Sequence, residues 1–309
     1  MIADSTTAPV LLLVFNRPET TRRVLASIRK AAPRQLFVAV DGPRAGHDQD
    51  AARCMEVLDL IRRGVDWACD VQYLLRPVNL GCRKAISSAI SWFFENVVEG
   101  IILEDDCLPT QQFFPFCSLL LARYRDQPRI GHIGGFNCQR GRRRGNGSYY
   151  FSRYFHIWGW ASWRRAWRGY DVDMSSYASF LEKGALEKLF ARPSLREFWR
   201  DNFDAVARRG MDTWDYQWVY HNFWEDRLAI VPNHNMIENI GFGSGATHTS
   251  TVSGKVPPVE DIILEDIVHP EHLVPCDEAD EFTYRTELKL GLFHDMKHII
   301  KRVVRAHAD

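Results

Sequence analysis

Three consecutive acids, Glu104, Asp105 and Asp106, directly follow the apolar run of residues 100–103. Carboxylates this close repel each other, and burying one without a partner is costly. A bound cation relieves the repulsion, and so do arginine or lysine partners. Magnesium and manganese ions take carboxylate oxygens and commonly complete their coordination with water and substrate phosphates. The triplet therefore predicts a divalent metal site, and the alternative is a solvated exit from a strand.

A further acid, Asp215, stands among aromatic residues in segment 212–218. Apolar surroundings raise the pKa of a carboxyl group toward neutral, where the group can accept the proton of an attacking hydroxyl. We expect Asp215 to act as a general base, with Asp212 in reserve. The alternative for Asp212 is to cap the helix that follows it.

The densest aromatic segment of the sequence contains Trp158, Gly159 and Trp160. Indole rings pack on flat apolar surfaces such as sugar faces while their N–H groups donate hydrogen bonds, and glycine permits close backbone approach to a ligand. These residues, together with Trp214, predict a sugar or acceptor pocket. The tryptophans from 160 to 167 are also spaced as one face of a helix, which would place them in the core.

Residues 139–147 contain arginines among glycines. Guanidinium groups bind phosphates through paired hydrogen bonds. We expect this loop to close over a diphosphate or to hold an anionic acceptor, and the alternative is a solvated loop without a ligand. Its arginines are Arg140, Arg142, Arg143 and Arg144.

The elements that must position these residues alternate between strands and helices in the first hundred residues. Short apolar runs predict strands at residues 10–15, 36–40, 71–75 and 100–103, and amphipathic segments predict helices at residues 20–30, 51–63 and 82–97. This alternation predicts a mostly parallel, three-layer α/β sheet. Polar residues end every predicted strand, and ligands bind beyond the carboxyl ends of such strands. The four ends should therefore meet in one crevice.

Composition narrows the classes of function. The 309 residues carry 39 basic and 39 acidic side chains, so the formal net charge is zero, whereas nucleic-acid-binding proteins usually carry a basic excess. Eight of the ten tryptophans lie between Trp158 and Trp224, and residues 139–168 hold eight arginines and no acid. The neutral total therefore conceals an aromatic and basic region in the second half of the chain.

The cysteines and the apolar runs bear on cellular location. The seven cysteines lack zinc-site spacing, and their odd number fits disulfide pairing poorly, which predicts reduced thiols in the cytoplasm. We expect neither a signal peptide nor a transmembrane helix, because no apolar run approaches the necessary length. Residues 288–305 predict a basic amphipathic helix, either packed on its own domain or resting peripherally on the inner face of an anionic membrane.

Three segments together resemble the GT-A fold glycosyltransferases, which have a Rossmann-like nucleotide-binding sheet. Residues 10–18 (VLLLVFNRP) resemble the first strand and nucleotide loop of that fold, and residues 76–85 (RPVNLGCRKA) resemble its Asn-x-Gly segment. The acidic triplet is similar to the DXD-type motif, in the Glu-Asp-Asp form of the N-acetylglucosaminyltransferase I group. The resemblance covers residues 9–125 and, more loosely, residues 126–250.

The resemblance implies a donor site for a nucleotide sugar, with UDP as the expected nucleotide and a manganese or magnesium ion as the cofactor. The residues implied to bind the donor are Arg17, Asp41, Asn79, Lys84, Glu104 and Asp105. The alternatives are that Arg17 only caps a turn and that Lys84 is a surface residue in the first turn of a helix. Asp106 is implied as the direct metal ligand. His248, which ends a glycine-rich segment, is implied to lie near the metal or the diphosphate, and the alternative is a histidine in an ordered turn.

The resemblance also implies a reaction: metal-dependent transfer of a sugar, of the hexosyltransferase type, to a hydroxyl of a glycan or lipid-linked glycan in polysaccharide biosynthesis. Inversion with Asp215 as the base is expected. Residues 1–125 would bind the donor, residues 126–250 the acceptor, and residues 251–309 would form a C-terminal extension. Two other classes stay open, a sugar-nucleotide nucleotidyltransferase and a non-catalytic glycan-binding protein. The nucleotidyltransferase class usually has a glycine-rich first loop, which residues 15–19 lack.

Overall fold

The structure is a computed structural model that describes residues 7–241, 258–260 and 266–288. Its strands are β1 (Val10–Val14), β2 (Gln35–Val40), β3 (Asp70–Leu75), β4 (Glu99–Glu104), β5 (Cys107–Pro109), β6 (Ile130–Gly134), β7 (Tyr149–Ser152), β8 (Trp160–Trp163), β9 (Leu228–Pro232) and β10 (Ile237–Asn239). Its helices are α1 (Pro18–Ala31), α2 (Asp48–Gly64), α3 (Gly81–Asn96), α4 (Phe113–Arg123), α5 (Arg164–Trp167), α6 (Tyr177–Glu182), α7 (Ala185–Leu189), α8 (Pro193–Ala207), α9 (Asp215–Trp224) and α10 (Asp277–Thr286). Every strand and helix predicted for the first hundred residues is present.

Among the described residues, eight strands form one sheet in the order β3-β2-β1-β4-β8-β6-β9-β7. The strands β1 to β4 pair in parallel, as do β6 and β9, whereas β8 and β7 run antiparallel to their neighbours. The predicted, mostly parallel α/β sheet is therefore confirmed. The short strands β5 and β10 form a separate antiparallel pair beside it.

The chain reverses its direction across the sheet at β1. It runs outward from β1 through α1, β2 and α2 to β3, and then returns through α3 to β4 on the other side of β1. Because crossovers between parallel strands are right-handed, this reversal puts α3 on the opposite face from α1 and α2. All five residues of β1 are buried, as a strand covered on both faces requires. The ends of β1 and β4 therefore flank the point where ligands bind in such sheets.

Aromatic side chains form the core of the second part of the chain. Trp199 and Phe223 belong to a buried cluster contributed by helices α6 to α9. Trp160 and Trp163 lie in strand β8, and Trp167 lies in α5, so the interpretation of these tryptophans as one helical face is wrong. Their predicted place in the core is confirmed, because all three are buried. Strand β8 lies between β4 and β6 with all four residues buried. Because both faces of this strand are covered, its sequence lacks the alternation of polar and apolar residues that would have identified it as a strand.

Helix α10 lies against the edge strand β7. The Ser152 hydroxyl donates to Asp280 Oδ1 at 2.6 Å, and the backbone N–H of Cys276 donates to the carbonyl of Phe151 at 2.7 Å. Within the described ranges, none of the helices has both the length and the apolar character of a membrane span. Apart from Leu288, the predicted amphipathic segment 288–305 lies outside the described residues.

Candidate functional site

A cavity of about 270 Å³ lies at the carboxyl ends of β1, β2, β3 and β4. Part of its wall is apolar, with small side chains from α3 such as Ala85 and Ala89. Its polar lining residues are Arg17, Asp41, Arg44, Arg76, Asn79, Glu104, Asp105 and Asp212. The polar ends of the first four strands thus meet in one crevice, as the alternation of strands and helices indicates.

Arg17, the residue that precedes α1, holds the acidic triplet. Its guanidinium donates to Asp106 Oδ2 at 2.8 Å, and the other terminal nitrogen lies 3.3 Å from Asp105 Oδ1. Asp105 is buried, with 3% of its surface exposed. Since β1 and β4 are neighbours in the sheet, residues that follow these two strands are brought side by side. One cation therefore faces two carboxylates directly, and Glu104 adds a third acid.

Burial and mutual repulsion alter the protonation of this cluster. Burial, followed by the charges of Asp106 and Asp105, raises the pKa of Glu104 well above its ordinary value. Burial also raises the pKa of Asp105 to about 7, although Arg17 opposes the shift. Burial lowers the pKa of Arg17, but the two aspartates outweigh this and raise it above its ordinary value. The raised pKa values of Glu104 and Asp105 mean that Arg17 does not balance the cluster when all three acids are ionised.

The residues around Asp106 fit a divalent cation that a substrate helps to hold. The described ranges contain no cluster of three or more histidine, cysteine or acidic side chains arranged as a metal site. A magnesium or manganese ion in an open site, however, needs only one or two carboxylates when phosphates and water supply its other ligands. Asp105 Oδ2 is buried and has no hydrogen-bond partner among the described residues. From the part of the chain that the structure describes, Asp106 Oδ1 receives only a long contact of 3.6 Å from the thiol of Cys107.

Gly241 lies directly on the Asp106 carboxylate. A Cβ atom at this glycine would be only 2.3 Å from Asp106 Oδ2, a separation that real side chains do not show. The backbone here is fixed because the N–H of Ile240 donates to the carbonyl of Asp106 at 2.8 Å and the N–H of Gly241 donates to Asn239 Oδ1 at 2.9 Å. The absence of a side chain at residue 241 therefore lets the chain cover the carboxylate while it pairs with Arg17.

Asp41 and Asn79 hold each other at the ends of β2 and β3. Asp41 Oδ1 accepts the N–H groups of Gly42 at 2.9 Å and of Leu80 at 3.0 Å, and Asp41 Oδ2 accepts the Asn79 amide at 2.8 Å. The side-chain oxygen of Asn79 accepts the N–H of Gly81 at 3.1 Å. Burial raises the pKa of Asp41, and the Leu80 and Gly42 N–H groups partly offset that shift. Both side chains line the cavity, and their hydrogen bonds fix the loop that leads into α3.

Lys84 is the one predicted donor-binding residue outside the cavity wall. It is exposed in the first turn of α3, whereas Cys82, Ala85 and Ile86 of the same helix line the cavity.

The sequence interpretation missed a second charged group at this crevice, formed by Asn16, Arg44 and Asp50. Arg44 donates to the buried Asp50 through two nitrogens at 2.6 and 3.1 Å, and the Asn16 amide donates to the same carboxylate at 2.7 Å. The Arg44 hydrogen bonds are the main reason that the pKa of Asp50 lies far below its ordinary value. The Arg44 guanidinium also lies 5.4 Å from the centre of the Phe15 ring. No local motif marks this group, because its members come from three separate segments.

Asp215 is the first residue of α9, and it lies within electrostatic range of the triplet because its charge contributes to the raised pKa of Glu104. Asp215 Oδ1 accepts hydrogen bonds from the Thr213 hydroxyl and from the N–H of Tyr216. Asp212 is engaged elsewhere. Its carboxylate accepts backbone N–H groups of α3, so it caps that earlier helix and not the helix that follows it.

The aromatic residues predicted for a sugar pocket differ in accessibility. Trp160 and Trp214 are 1% and 2% exposed and stack on each other with ring centres 5.8 Å apart, so neither ring offers a face to a ligand. Gly159 has a φ of +58°, and a Cβ there would meet the Ile237 side chain at 2.4 Å. The backbone conformation and the packing of Ile237 therefore explain why this residue is glycine. Trp158 remains partly exposed and packs edge-to-face on Phe136.

The arginine loop faces α10. Arg144 is 3% exposed, pairs with Glu278 and donates to Gln139 Oε1 at 2.7 Å. Arg140 lies 3.3 Å from Glu287. These arginines therefore have protein partners in the C-terminal helix and its surroundings. The predicted metal-site histidine, His248, lies outside the described residues.

Comparisons with known proteins find only distant likeness. No family model and no curated protein matches the sequence. The chain is similar to HddC from Yersinia pseudotuberculosis at 11% identity and a TM-score of 0.30, over 57% of this chain and 86% of that one. The same values hold for HddC complexed with GMP-PN. Mouse xyloside xylosyltransferase 1 in its apo form is similar at 12% identity and a TM-score of 0.35, over 69% of this chain and 80% of that one. Likeness at this level does not identify a reaction, so the reaction has to be inferred from the chemistry of the residues in the crevice.

Proposed function

We propose that the protein is a glycosyltransferase that transfers a sugar from a nucleotide diphosphate donor, with UDP as the expected nucleotide, in the presence of a divalent cation. The observation that carries this proposal is the uncompensated acidic cluster at the end of β4, which opens into the crevice between β1 and β4. Asp105 has a buried carboxylate oxygen without a partner among the described residues, and one arginine faces three acids. The fully ionised cluster is therefore costly, and a bound cation would favour it over the protonated form.

The donor nucleotide would occupy the cavity lined by Asp41, Glu104 and Asp105. The loop that Asp41 and Asn79 hold together provides a fixed wall, so little has to be ordered when a ligand arrives. Arg17 would remain beside the triplet and keep Asp105 and Asp106 oriented. These contacts support binding of a polar ligand at the point where α/β sheets of this topology take nucleotides.

Asp106 is the residue proposed to hold the cation. Its Oδ2 is paired with Arg17, and its Oδ1 has only the weak thiol contact of Cys107 within the described ranges, so one oxygen would be available for a metal. When bound, a magnesium or manganese ion supplies Lewis-acid stabilisation of the charge that develops on a leaving diphosphate. Asp105 would meet a hydroxyl of the donor or a bound water.

Asp215 is proposed to accept the proton of the acceptor hydroxyl, which implies inversion at the anomeric carbon. Its Oδ1 is held by Thr213 and by the N–H of Tyr216, which fixes the direction of the carboxylate. Oδ2 has no hydrogen-bond partner among the described residues and would face the acceptor. Transfer then forms the bond from the acceptor oxygen to the anomeric carbon, breaks the bond from that carbon to the diphosphate, and places the proton on Asp215. The acceptor is proposed to be a glycan or a lipid-linked glycan.

The metal assignment is tested with Asp106→Ala. UDP binding is measured by titration calorimetry with and without Mn²⁺, and the parent should bind UDP more tightly when Mn²⁺ is present. The variant should lose that gain while it keeps the parent's unfolding midpoint. Asp201→Ala removes an exposed carboxylate from α8 and is the matched control. If Asp106→Ala keeps the Mn²⁺ effect on UDP binding, Asp106 is not the metal ligand.

The transfer reaction is tested with a panel of nucleotide sugars and with Asp215→Asn. The parent should release nucleoside diphosphate in the presence of an acceptor, whereas the variant should bind the donor normally and turn it over at least about 100-fold more slowly. Release of pyrophosphate from a nucleoside triphosphate and a sugar phosphate would instead identify a nucleotidyltransferase. Glycan binding without any nucleotide affinity would identify a binding protein.

A further inference from the structure

We propose that Asp212 is a positioning residue, which anchors the segment that carries Asp215 to the first turn of α3 beside the cavity. The inference rests on the proposed function, because it concerns how the proposed base is placed. Asp212 itself need not touch the reacting atoms. It acts by fixing the turn of residues 211–215 relative to the helix that forms one wall of the crevice.

The anchor consists of two hydrogen bonds across a separation of about 130 residues. Asp212 Oδ2 accepts the backbone N–H of Cys82 at 3.1 Å, and Asp212 Oδ1 accepts the N–H of Arg83 at 2.9 Å. The first N–H groups of a helix have no partner within the helix, and a carboxylate there also interacts favourably with the helix dipole. Asn79 accepts the first of these N–H groups, that of Gly81, and the residue that directly precedes α3 has no capping side chain. A distant acid thus accepts the next two N–H groups.

The backbone at the start of α3 is shaped for this contact. Gly81 has a φ of +75°, and a Cβ at this residue would lie 2.8 Å from Asp212 Oδ2. Only glycine adopts this conformation without strain and leaves room for the carboxylate. The approach of Asp212 and the choice of residue at position 81 are therefore coupled.

A second set of contacts joins the same two regions in the opposite direction. The Arg83 guanidinium reaches out of α3 and donates to the carbonyl of Val172 at 2.6 Å. That carbonyl also accepts the Gln217 amide, which bonds in turn to the carbonyl of Thr213 at 2.6 Å. The turn that bears Asp212 is thereby held at both of its ends.

The constraint continues from Asp212 to Asp215 over three residues. The Tyr170 hydroxyl donates to the carbonyl of Trp214 at 2.9 Å, and Trp214 is itself buried. The Thr213 hydroxyl donates to the carboxylate of Asp215. With the residues on both sides of it fixed, Asp215 has little freedom to change its position. Release of Asp212 from α3 would free the side of this turn that faces the cavity.

The position and charge of Asp212 allow an experiment to distinguish a positioning role from general damage to the site. Asp212 lines the cavity, so its negative charge opposes an anionic ligand there. A variant without this charge should bind UDP as well as the parent or up to about threefold more tightly, since the side chain is exposed and the effect is screened. The same variant should turn over the donor about fivefold more slowly, the loss expected if the contribution of a cap, about 1 kcal/mol, is lost from the stabilisation of the transition state. A damaged site would lose both binding and turnover.

The experiment compares Asp212→Ala, Asp212→Asn and the control Asp201→Ala in the full-length protein. For each, the Kd for UDP with Mn²⁺, the kcat and the donor KM are measured with the nucleotide sugar that the parent turns over fastest. We expect a reduced kcat without weaker UDP binding for Asp212→Ala, part of the kcat recovered in Asp212→Asn because one oxygen acceptor remains, and no change in the control. An unchanged kcat in Asp212→Ala, or a kcat loss accompanied by weaker UDP binding, would overturn the proposal.

Hydrogen exchange distinguishes failure of this inference from failure of the proposed function. The amides of Cys82 and Arg83 should lose protection in Asp212→Ala whatever the reaction is, because they lose their acceptor. If these amides exchange as in the parent, the anchor is absent and the inference fails. If they lose protection but the parent turns over no nucleotide sugar, the contact exists and the proposed function is the part that fails.

Discussion

Replacing Gly241 with alanine should disable the proposed cation site with little effect on the rest of the fold. The added Cβ would lie 2.3 Å from Asp106 Oδ2 and 2.8 Å from both the Cβ and the Cγ of Asp106. Ordinary van der Waals contact begins near 3.4 Å, so the carboxylate or the backbone must move by about 1 Å. The Asp106 side chain is the softer of the two, because the backbone at Ile240 and Gly241 is hydrogen-bonded.

A displacement of this size is large for a metal ligand that also pairs with Arg17 at 2.8 Å. A misplacement of about 1 Å at a reacting centre costs about 100-fold in rate, which corresponds to about 3 kcal/mol in the activation free energy. We therefore expect the kcat/KM of Gly241→Ala to fall about 100-fold and the gain in UDP affinity from Mn²⁺ to be largely lost. UDP binding without metal should change little.

The assay combines calorimetry of UDP binding, with and without Mn²⁺, and thermal unfolding. Gly134→Ala is the matched control, because a Cβ at this buried glycine would meet its nearest neighbours at 3.5 Å, which is ordinary contact. The control should bind UDP and Mn²⁺ as the parent does. If Gly241→Ala retains the parent's metal-dependent UDP affinity, either Asp106 tolerates the displacement or it does not hold the cation, and the reasoning from the close approach is refuted.

Three further predictions follow from individual contacts. Arg17→Ala removes the cation that faces two carboxylates, so it should lower the free energy of unfolding by about 2 kcal/mol at pH 8. Urea titrations should show a smaller loss at pH 5, where Asp105, whose pKa is about 7, is protonated. Burial lowers the pKa of His132 to about 3, and its neutral ring accepts the Trp218 indole N–H at 3.2 Å. The neutral ring therefore makes its full contribution to the free energy of unfolding above pH 6.5. That contribution is lost, at no more than about 1.4 kcal/mol per pH unit, as the pH falls toward 3. In His132→Gln, the free energy of unfolding should depend less on pH in that range, and the same pH dependence in variant and parent would contradict the assignment. Gly81→Ala and Gly46→Ala impose the same strain, because φ is +75° and +76°, but only the former places a Cβ within 4 Å of another described residue. Urea unfolding should therefore show a larger loss than about 1 kcal/mol for Gly81→Ala alone, and equal losses would contradict the close approach of Asp212 to residue 81.

The periodicity of the first hundred residues was sufficient to predict the arrangement that positions the site. Strand and helix patterns are local properties, and the rule that parallel strands end at one edge converts them into a statement about which residues meet. Arg17, Asp41 and Glu104 line one cavity because each lies at the end of a strand of the parallel part of the sheet or within three residues after it. Their sequence separation does not matter once the order of the strands is known.

The pairings within the crevice could not be predicted in this way. Arg17 and Asp106 are 89 positions apart, and Asp212 and Arg83 are 129 positions apart, so no local pattern identifies them as partners. The tryptophans of residues 160–167 show a different limitation. A strand buried on both faces lacks polar alternation, and tryptophans that follow each other at intervals of three and four residues then resemble a helix face. The arginine loop likewise gave no sign that Arg144 would be buried against α10.

The charge distribution gives the proposed cation a basis that is independent of any motif. The arginines nearest the crevice already have partners: Arg44 is bound to Asp50, and Arg17 is shared between two aspartates. Among the described residues that line the cavity, Arg76 alone of the arginines lacks an acid within salt-bridge distance, and its guanidinium donates to Ser88. A diphosphate would add negative charge to this surface, and two like charges about 4 Å apart near a protein surface repel by about 4 kcal/mol. A zero net charge for the whole chain does not remove this local repulsion. Under the proposed function, a divalent ion that binds together with the nucleotide diphosphate would reduce this repulsion.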